Sequence, residues 1–419
     1  MELMQYINQG VSPYHVVKNS KEWLKLSGFT ELFMDESWRL EEGQGYYVSP
    51  YESSLFAFRA GGGFVRIATG HTDQPMLKVK PNPSMMKEGC YVINVEGYGG
   101  MILHTWFDRP LALAGKVVCR SEDIFAPNVM LYDSREAVAV IPSLAIHYDW
   151  EVNKKNELKI QIHLLPLVAL QKEQQGDVLL SYIAEQLDVL EDDILDYDLF
   201  FYNPEEPKLV GLNREFIVSP RLDNLTSCYS ALLGLVMGAS NNTNVVALFD
   251  HEEIGSRSKQ GAASNLFSWF LDKCIHSMDE AGITVGRTMD SLINEGFLLS
   301  LDVAHACHPN YSDKSDPTTK THLGEGVVLK ISGSQKYNSD SVSNAIFMQL
   351  CEREKISFQR QINHSDIVGG STLGPIVGSF VPVCGVDAGV PVLAMHSAME
   401  TASYQDCMEL NRLVTAFFS

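Results

Sequence analysis

Hydrophobic and polar positions change their period along the chain, and the changes divide it. Lys18 to Phe29 has helical spacing at Trp23, Leu24 and Leu26. The stretch from Tyr46 to Thr69 closes on Phe64-Val65-Arg66-Ile67-Ala68, which reads as a strand delivering the chain to Gly70-His71-Thr72-Asp73. After Lys80 the texture differs. Pro81, Pro83 and the Gly97 to Gly100 cluster punctuate short strand-like runs such as Lys116-Val117-Val118-Cys119 and Ala137-Val138-Ala139-Val140-Ile141, so residues 82–216 are expected to form a β-rich insertion. From Glu215 strands and helices alternate. A turn at Pro220 to Asn224 leads into a helix to Met237, and a strand follows over Asn244 to Phe249. Helices near Ser264 to Met278 and Ser341 to Arg353 flank buried strands at Phe297 to Leu301 and Val327 to Ile331. Met395 to Phe418 is expected to supply the last helix, beginning just after His396. This alternation predicts an α/β sandwich built from residues 1–81 and 217–419, interrupted by the insertion.

Composition narrows the function. A chain of 419 residues is long enough for two domains or one large domain with an insertion, and 45% hydrophobic with 20% charged residues is a globular composition. The formal net charge is -20, from 52 acidic against 32 basic residues, with no basic stripe able to neutralise phosphates. Nucleic acid and anionic membrane are therefore not expected partners. No apolar segment reaches the roughly 18 residues of a membrane span, and the N-terminus lacks a basic and apolar leader, so the cytoplasm is the expected location. The 8 cysteines are scattered without a Cys-x-x-Cys pair, so any metal should be held by carboxylates and imidazoles.

Candidate chemistry recurs at strand ends. His71 and Asp73, at i and i+2, share one face if the strand continues, and Asp73 can then fix the His71 tautomer. Asp223 falls in a strand-to-helix turn, where a helix N-cap is an equally ordinary use for it. Asp250-His251-Glu252-Glu253 directly follows the apolar Val245 to Phe249 run, a place where ligands collect in α/β sheets but where a solvated acidic loop also fits. Asp302 ends another buried strand, and His396 follows Val390-Pro391-Val392-Leu393. Taken singly these are weak signals. Together they make a His, Asp, Glu, Asp, His series, the donor set needed by two divalent ions roughly 3.5 to 4 Å apart with a shared carboxylate.

With these residues assembled, the chain resembles the M18 family of metalloaminopeptidases, the aspartyl aminopeptidase and aminopeptidase I group, over nearly its whole length. The resemblance rests on Gly-His-Thr-Asp-Gln-Pro (70–75), Ser-Pro-Arg-Leu-Asp-Asn (219–224), Asp-His-Glu-Glu-Ile-Gly-Ser (250–256), Asp-Val-Ala-His-Ala-Cys-His-Pro-Asn (302–310), Gly-Ser-Thr-Leu-Gly-Pro-Ile (370–376) and Ala-Met-His-Ser (394–397). It implies a mixed-sheet α/β/α zinc-aminopeptidase domain with an inserted β-rich lid or dimerisation domain. His71, Asp223 and Asp302 would hold one metal and Asp223, Glu253 and His396 the other. Asp223 would bridge them, and Glu252 would act as general base. Zinc suits these ligands best, with cobalt or manganese able to occupy the same set. His305 and His308 look like a helical metal pair, yet the resemblance needs neither as a ligand. His251 is expected to be a structural neighbour of the site.

Lys330 matches the family position that faces an acidic substrate side chain, and His147 an inserted-domain histidine that reaches a neighbouring subunit's active site. For each the ordinary reading is a strand residue, a lysine reaching solvent and a strand histidine. The implied partners are peptide substrates and further copies of the chain, in dimers assembling up to a dodecamer. Departures at Ala398-Met399, Ser143 and Gly369 lie outside the metal ligands and leave broad or neutral specificity as the alternative to release of N-terminal Asp or Glu. A non-catalytic scaffold retaining the fold is the remaining alternative, and the presence of every implied ligand and the base argues against it.

Overall fold

The computed structural model describes residues 1–154, 157–170 and 176–419. The chain divides into two compact units, one comprising Met1–Asp73, Pro207–Met395 and Glu400–Ser419, the other Gln74–Glu206 with His396–Met399.

In the first unit the apolar runs form a 9-stranded sheet. From edge to edge its strands are Thr30–Glu31, Gly45–Tyr51, Ser54–Arg59, Thr243–Phe249, Val65–His71, Phe297–Leu301, Cys384–Gly389, Val327–Ile331 and Phe358–Ile362. The strands Thr243–Phe249, Val65–His71 and Phe297–Leu301 are mutually parallel and buried on both faces, which explains their nearly unbroken apolar character. Helices cover each face. Leu222–Met237 and Tyr404–Phe417 pack with Leu248, Leu299 and Ala388 on one side. Leu266–Glu280 and Leu373–Phe380 pack through Phe267, Phe270 and Val377 with Phe56, Ile67 and Leu298 on the other. The alternation read from the sequence is thus an α/β/α sandwich.

Topology places the site. Both parallel neighbours of Val65–His71 come later in the chain and lie on opposite sides of it. The connections therefore diverge, and such a switch point leaves a crevice outside the carboxyl ends of the strands.

A 5-stranded sheet in the same unit runs Lys208–Val210, Phe216–Ser219, Glu400–Ser403, Pro391–Leu393 and Ala304–His305. It corrects the end of the sequence reading. The last helix is Tyr404–Phe417, and Glu400–Ser403 before it is a strand paired antiparallel with both Phe216–Ser219 and Pro391–Leu393. Backbone pairing to two neighbours outweighs the helical pattern there, and Ser403 accepts from the Asp406 N–H to start the helix. His305 and His308 are likewise not a helical pair: His305 closes a two-residue strand, and the His308 ring packs on Tyr311 at 4.9 Å. The helix expected from Lys18 begins at Pro13, a residue preset for the first turn, and ends at Leu26.

The second unit is a 7-stranded antiparallel sheet ordered Ile194–Tyr202, Met76–Lys87, Cys90–Tyr98, Leu167–Leu170, Ala139–Val140, Pro110–Cys119 and Asn128–Asp133. Ile194–Tyr202 also pairs with Pro110–Cys119, which closes the sheet into a barrel and removes most of its edge. At Gly115 (φ 153°) the strands approach so closely that a Cβ would collide with the Asp198 carbonyl. Leu77, Ile93, Leu111, Leu113, Val117 and Leu199 are buried. Only Ala139–Val140 of the strand read at Ala137 to Ile141 is paired. Met76–Lys87 is continuous through the boundary expected at residues 81 and 82, while Lys208–Val210 belongs to the first unit's sheet.

Candidate active site

Three parallel strands end side by side, and each delivers chemistry. His71 is the last residue of Val65–His71 and pairs in register with Phe249, so Asp250 and the turn Glu252–Ile254 follow at the same level. Asp302 follows Phe297–Leu301, with its N–H donated to the Ala388 carbonyl at 3.0 Å. Thr72 locks the first two ends together, its N–H reaching the Phe249 carbonyl at 2.8 Å and its hydroxyl the Ser53 carbonyl at 2.7 Å.

Asp223 enters from the helix side. Arg221 is in the left-handed region (φ 62°), the Asp223–Asn224 peptide is cis, and Asp223 and Asn224 have non-helical backbone, so regular helix starts after them. Two bonds fix this turn: the Asp223 N–H donates to Glu400 Oε2 at 3.0 Å, and Asn224 Nδ2 donates to the Leu301 carbonyl at 2.8 Å. The turn is thereby tied to the strand that carries Asp302.

The side chains converge on His71. Its Nε2 lies 3.3 Å from Asp223 Oδ1, 3.8 Å from Asp302 Oδ1 and 4.0 Å from Glu252 Oε2. Ligand atoms of His71, Asp223 and Glu253 all fall within 4.8 Å of one another. On the far side of the ring, Nδ1 lies 3.0 Å from the Asp73 carbonyl and 3.3 Å from Asp73 Oδ1. Nδ1 therefore keeps a proton to donate, and Nε2 is turned toward the carboxylates, where it can serve a cation set among them.

Asp73 has a second use that its i, i+2 spacing did not reveal. Its Oδ1 accepts the Glu252 N–H and its Oδ2 the Glu253 N–H, both at 3.1 Å, so one buried carboxylate orients the imidazole and anchors the acidic turn. His251 (φ 64°) makes the sharp entry to that turn, and its Nδ1 lies 2.7 Å from Ser258 Oγ. Glu400, which holds the Asp223 amide, carried no signal in its local sequence, since it is brought to the site by sheet pairing with Ser219.

Electrostatics follow from this crowding. Burial lowers the His71 pKa, but Asp223, Asp302 and Asp73 outweigh it and hold the imidazole well above its ordinary value. Burial pushes the Glu252 carboxyl up to about 8; His71 opposes this and Asp302, Asp73 and Asp223 add to it. Burial, reinforced by Asp73, likewise raises Asp250 to about 7. Several carboxylates crowded around one imidazole repel one another unless cationic charge lies among them. The donor set thus fits a divalent metal, with the imidazole and oxygen ligands suited to zinc.

Lys330 is buried in the strand Val327–Ile331, with Nζ 3.3 Å from Asp302 Oδ2. Burial opposes its charge, yet Asp302, Tyr337 and Asp387 raise its pKa above the ordinary lysine value. It does not reach solvent. His396 and His147 belong to the second unit. His396 (φ 65°) has Nδ1 2.8 Å from the Gly100 carbonyl, so that nitrogen donates and Nε2 keeps the lone pair a ligand needs. His147 is exposed in the short turn Ile146–Tyr148, edge-on to Trp150 at 5.7 Å, and is not the strand histidine of the ordinary reading.

Comparison with known proteins gives the same direction. The family described as "Aminopeptidase I zinc metalloprotease (M18)" matches residues 6–418. A probable M18 family aminopeptidase 2 of Clostridium novyi is 40% identical over 97% of this chain and 95% of its own. Among solved structures, Ape4 in its complex with Nbr1 superposes with a TM-score of 0.92 at 32% identity, over 99% of this chain and 84% of that one. The S. cerevesiae mApe1 dodecamer does so at 0.84 and 23% identity, over 99% and 95%. The chain therefore belongs to the M18 aminopeptidase family, a family of metallopeptidases that hydrolyse peptide bonds.

Proposed function

We propose that this aminopeptidase works with two divalent ions, most simply zinc, and releases N-terminal Asp or Glu from peptides. The observation that carries the reading is the convergence of Asp223, Asp302 and Glu252 on His71 Nε2, with Glu253 within ligand reach of the same group. His71, Asp223 and Asp302 are the proposed ligands of one ion and Asp223, Glu253 and His396 those of the other. Bound there, such ions supply Lewis acidity toward a water and toward the scissile carbonyl.

The chain's own groups do the rest. Glu252 accepts the proton released as water attacks and returns it to the departing amine nitrogen. Its elevated carboxyl pKa suits a group that must both take and give a proton, and nearby cations would draw that value toward neutrality. Asp73 keeps the Glu252 and Glu253 amides in place and the His71 ring oriented. Lys330, charged and buried beside Asp302, is the proposed countercharge for an acidic substrate side chain. Metal analysis tests the centre. Two ions per chain are expected, with activity lost on chelation and regained on adding zinc, cobalt or manganese. Less than one ion per chain in active enzyme would sink it.

The proposed assembly is a homo-oligomer of dimers, up to a dodecamer, with the second unit as its lid or dimerisation element and His147 serving a neighbouring subunit. Ile124, Phe125, Leu144, Tyr148 and Trp150 of that unit are exposed apolar side chains that an interface would cover. Phe125→Asp is expected to lower the mass measured by light scattering while leaving the thermal midpoint of the monomer intact. An unchanged mass would remove Phe125 from the interface. A cytoplasmic setting fits the free state of all the cysteines, and among the described residues no helix is long and apolar enough to cross a membrane.

A further inference from the structure

The large sheet carries a buried polar row of which the chemistry above uses Lys330 alone. Register sets Thr69 beside Ser300, Ser300 beside Asp387, Asp387 beside Lys330 and Lys330 beside Gln361, across adjacent strands. All of these side chains are buried. Their strand neighbours Leu299, Leu301, Val386, Ala388 and Leu329 belong to the apolar core on the opposite face. A polar row in such a position costs stability unless it is paired or used. It lies one step beneath the candidate ligands, because Thr69 and Ser300 precede His71 and Asp302 by the two-residue repeat of a strand face.

Lys330 is the cation of this row. Its Nζ is 3.3 Å from Asp302 Oδ2 and 5.4 Å from the centroid of the Tyr337 ring. A carboxylate that shares its charge with metal ions holds an ammonium weakly, and the ions themselves repel it. Asp387 is the other negative charge facing Lys330, and it is rigidly held. Its Oδ2 accepts the Asn338 N–H at 2.5 Å, and the Ser300 and Thr372 hydroxyls face the same carboxyl. The helix Leu373–Phe380 begins against it: a Cβ on Gly374 would collide with Asp387 Oδ2, and the positive end of that helix favours an ionised carboxyl.

We infer that Asp387 is a positioning residue that acts through Lys330, holding its ammonium against Asp302 so that the remaining N–H donors can meet an acidic substrate side chain. The inference rests on the proposed reading of Lys330 and adds to it the residue that fixes the lysine's place.

The test uses the full chain with Asp387→Asn, Lys330→Ala and the double variant, on aspartyl and leucyl anilides, with a crystal structure of Asp387→Asn. The ratio of kcat/KM for aspartyl over leucyl substrate is expected to fall about tenfold in Asp387→Asn, mainly through KM, with the double variant no worse than Lys330→Ala. Lys330 Nζ is expected to move beyond about 4 Å from Asp302. Equal losses on both substrates, additive effects in the double variant, or Lys330 retained at 3.3 Å from Asp302 would overturn the inference. A wild-type enzyme without acidic preference sinks the substrate role of Lys330, and the position of Lys330 in the variant structure then decides the positioning role alone. Should Asp387→Asn fail to fold, Gly374→Ala displaces the same carboxylate with every charge intact. It is expected to shift the ratio and the lysine in the same direction, and no shift in either overturns the proposal.

Discussion

Replacing Glu252 by Gln is expected to lower kcat by roughly a hundred- to ten-thousandfold, the usual contribution of a positioned base, with KM and metal content nearly unchanged. Gln preserves the shape of the side chain and its capacity for hydrogen bonds but cannot carry the proton. Its backbone N–H still reaches Asp73 Oδ1, so the acidic turn should stay in place. The Glu252 carboxylate is the most distant of the three oxygens measured from His71 Nε2, at 4.0 Å against 3.3 Å for Asp223 and 3.8 Å for Asp302. Steady-state kinetics paired with metal analysis separates the roles: loss of an ion in Glu252→Gln would move Glu252 into the ligand set, and kcat within a factor of ten of wild type would move the base elsewhere.

Asp223→Asn is expected to have the other large effect, by a different route. Asp223 is the proposed bridge and the nearest of those carboxylates to His71 Nε2, so weakening it should release both ions together and reduce activity by roughly a thousandfold or more. Thermal unfolding with and without added zinc provides the check. Ligand binding to the folded state alone stabilises by about 4 kcal/mol at a thousand times the dissociation constant, so zinc should raise the wild-type midpoint by several degrees. The variant should show no such rise. A variant that binds two ions as tightly as wild type would exclude Asp223 as a bridge. The midpoint in chelator isolates folding, because the Asp223 amide remains donated to Glu400 whichever side chain is present.

These two predictions depend on different parts of one arrangement. Glu252 and Glu253 are held by a carboxylate from a different strand end, and Asp223 by a glutamate on the strand paired with the one that leads into its turn. The site is thus preorganised by long-range hydrogen bonds rather than by local turn geometry alone. Strand ends supply the positions, while Asp73 and Glu400 set the angles.

Much of this was legible in the chain itself. The apolar runs at Val245 to Phe249 and Phe297 to Leu301 are buried strands because a parallel central strand has no wet face, and the residues after them fall at a carboxyl edge by necessity. The motifs at residues 70–75, 219–224, 250–256, 302–310, 370–376 and 394–397, taken together in order and spacing, indicated the family, since their chemistry is carried by residue types. Local pattern failed where pairing partners are distant. Glu400–Ser403 lies in a stretch that reads as helix, and only its two strand neighbours make it a strand. Lys330 illustrates the same limit: its sequence says strand lysine, whereas register alone sets Asp387 opposite it and brings Asp302 to its ammonium. Residue types and their periods determined the layers, the strand ends and the donor set. Which carboxylate faces which amide was decided by tertiary structure, because a hydrogen bond of 3 Å between residues some 180 positions apart leaves no periodic trace in the chain.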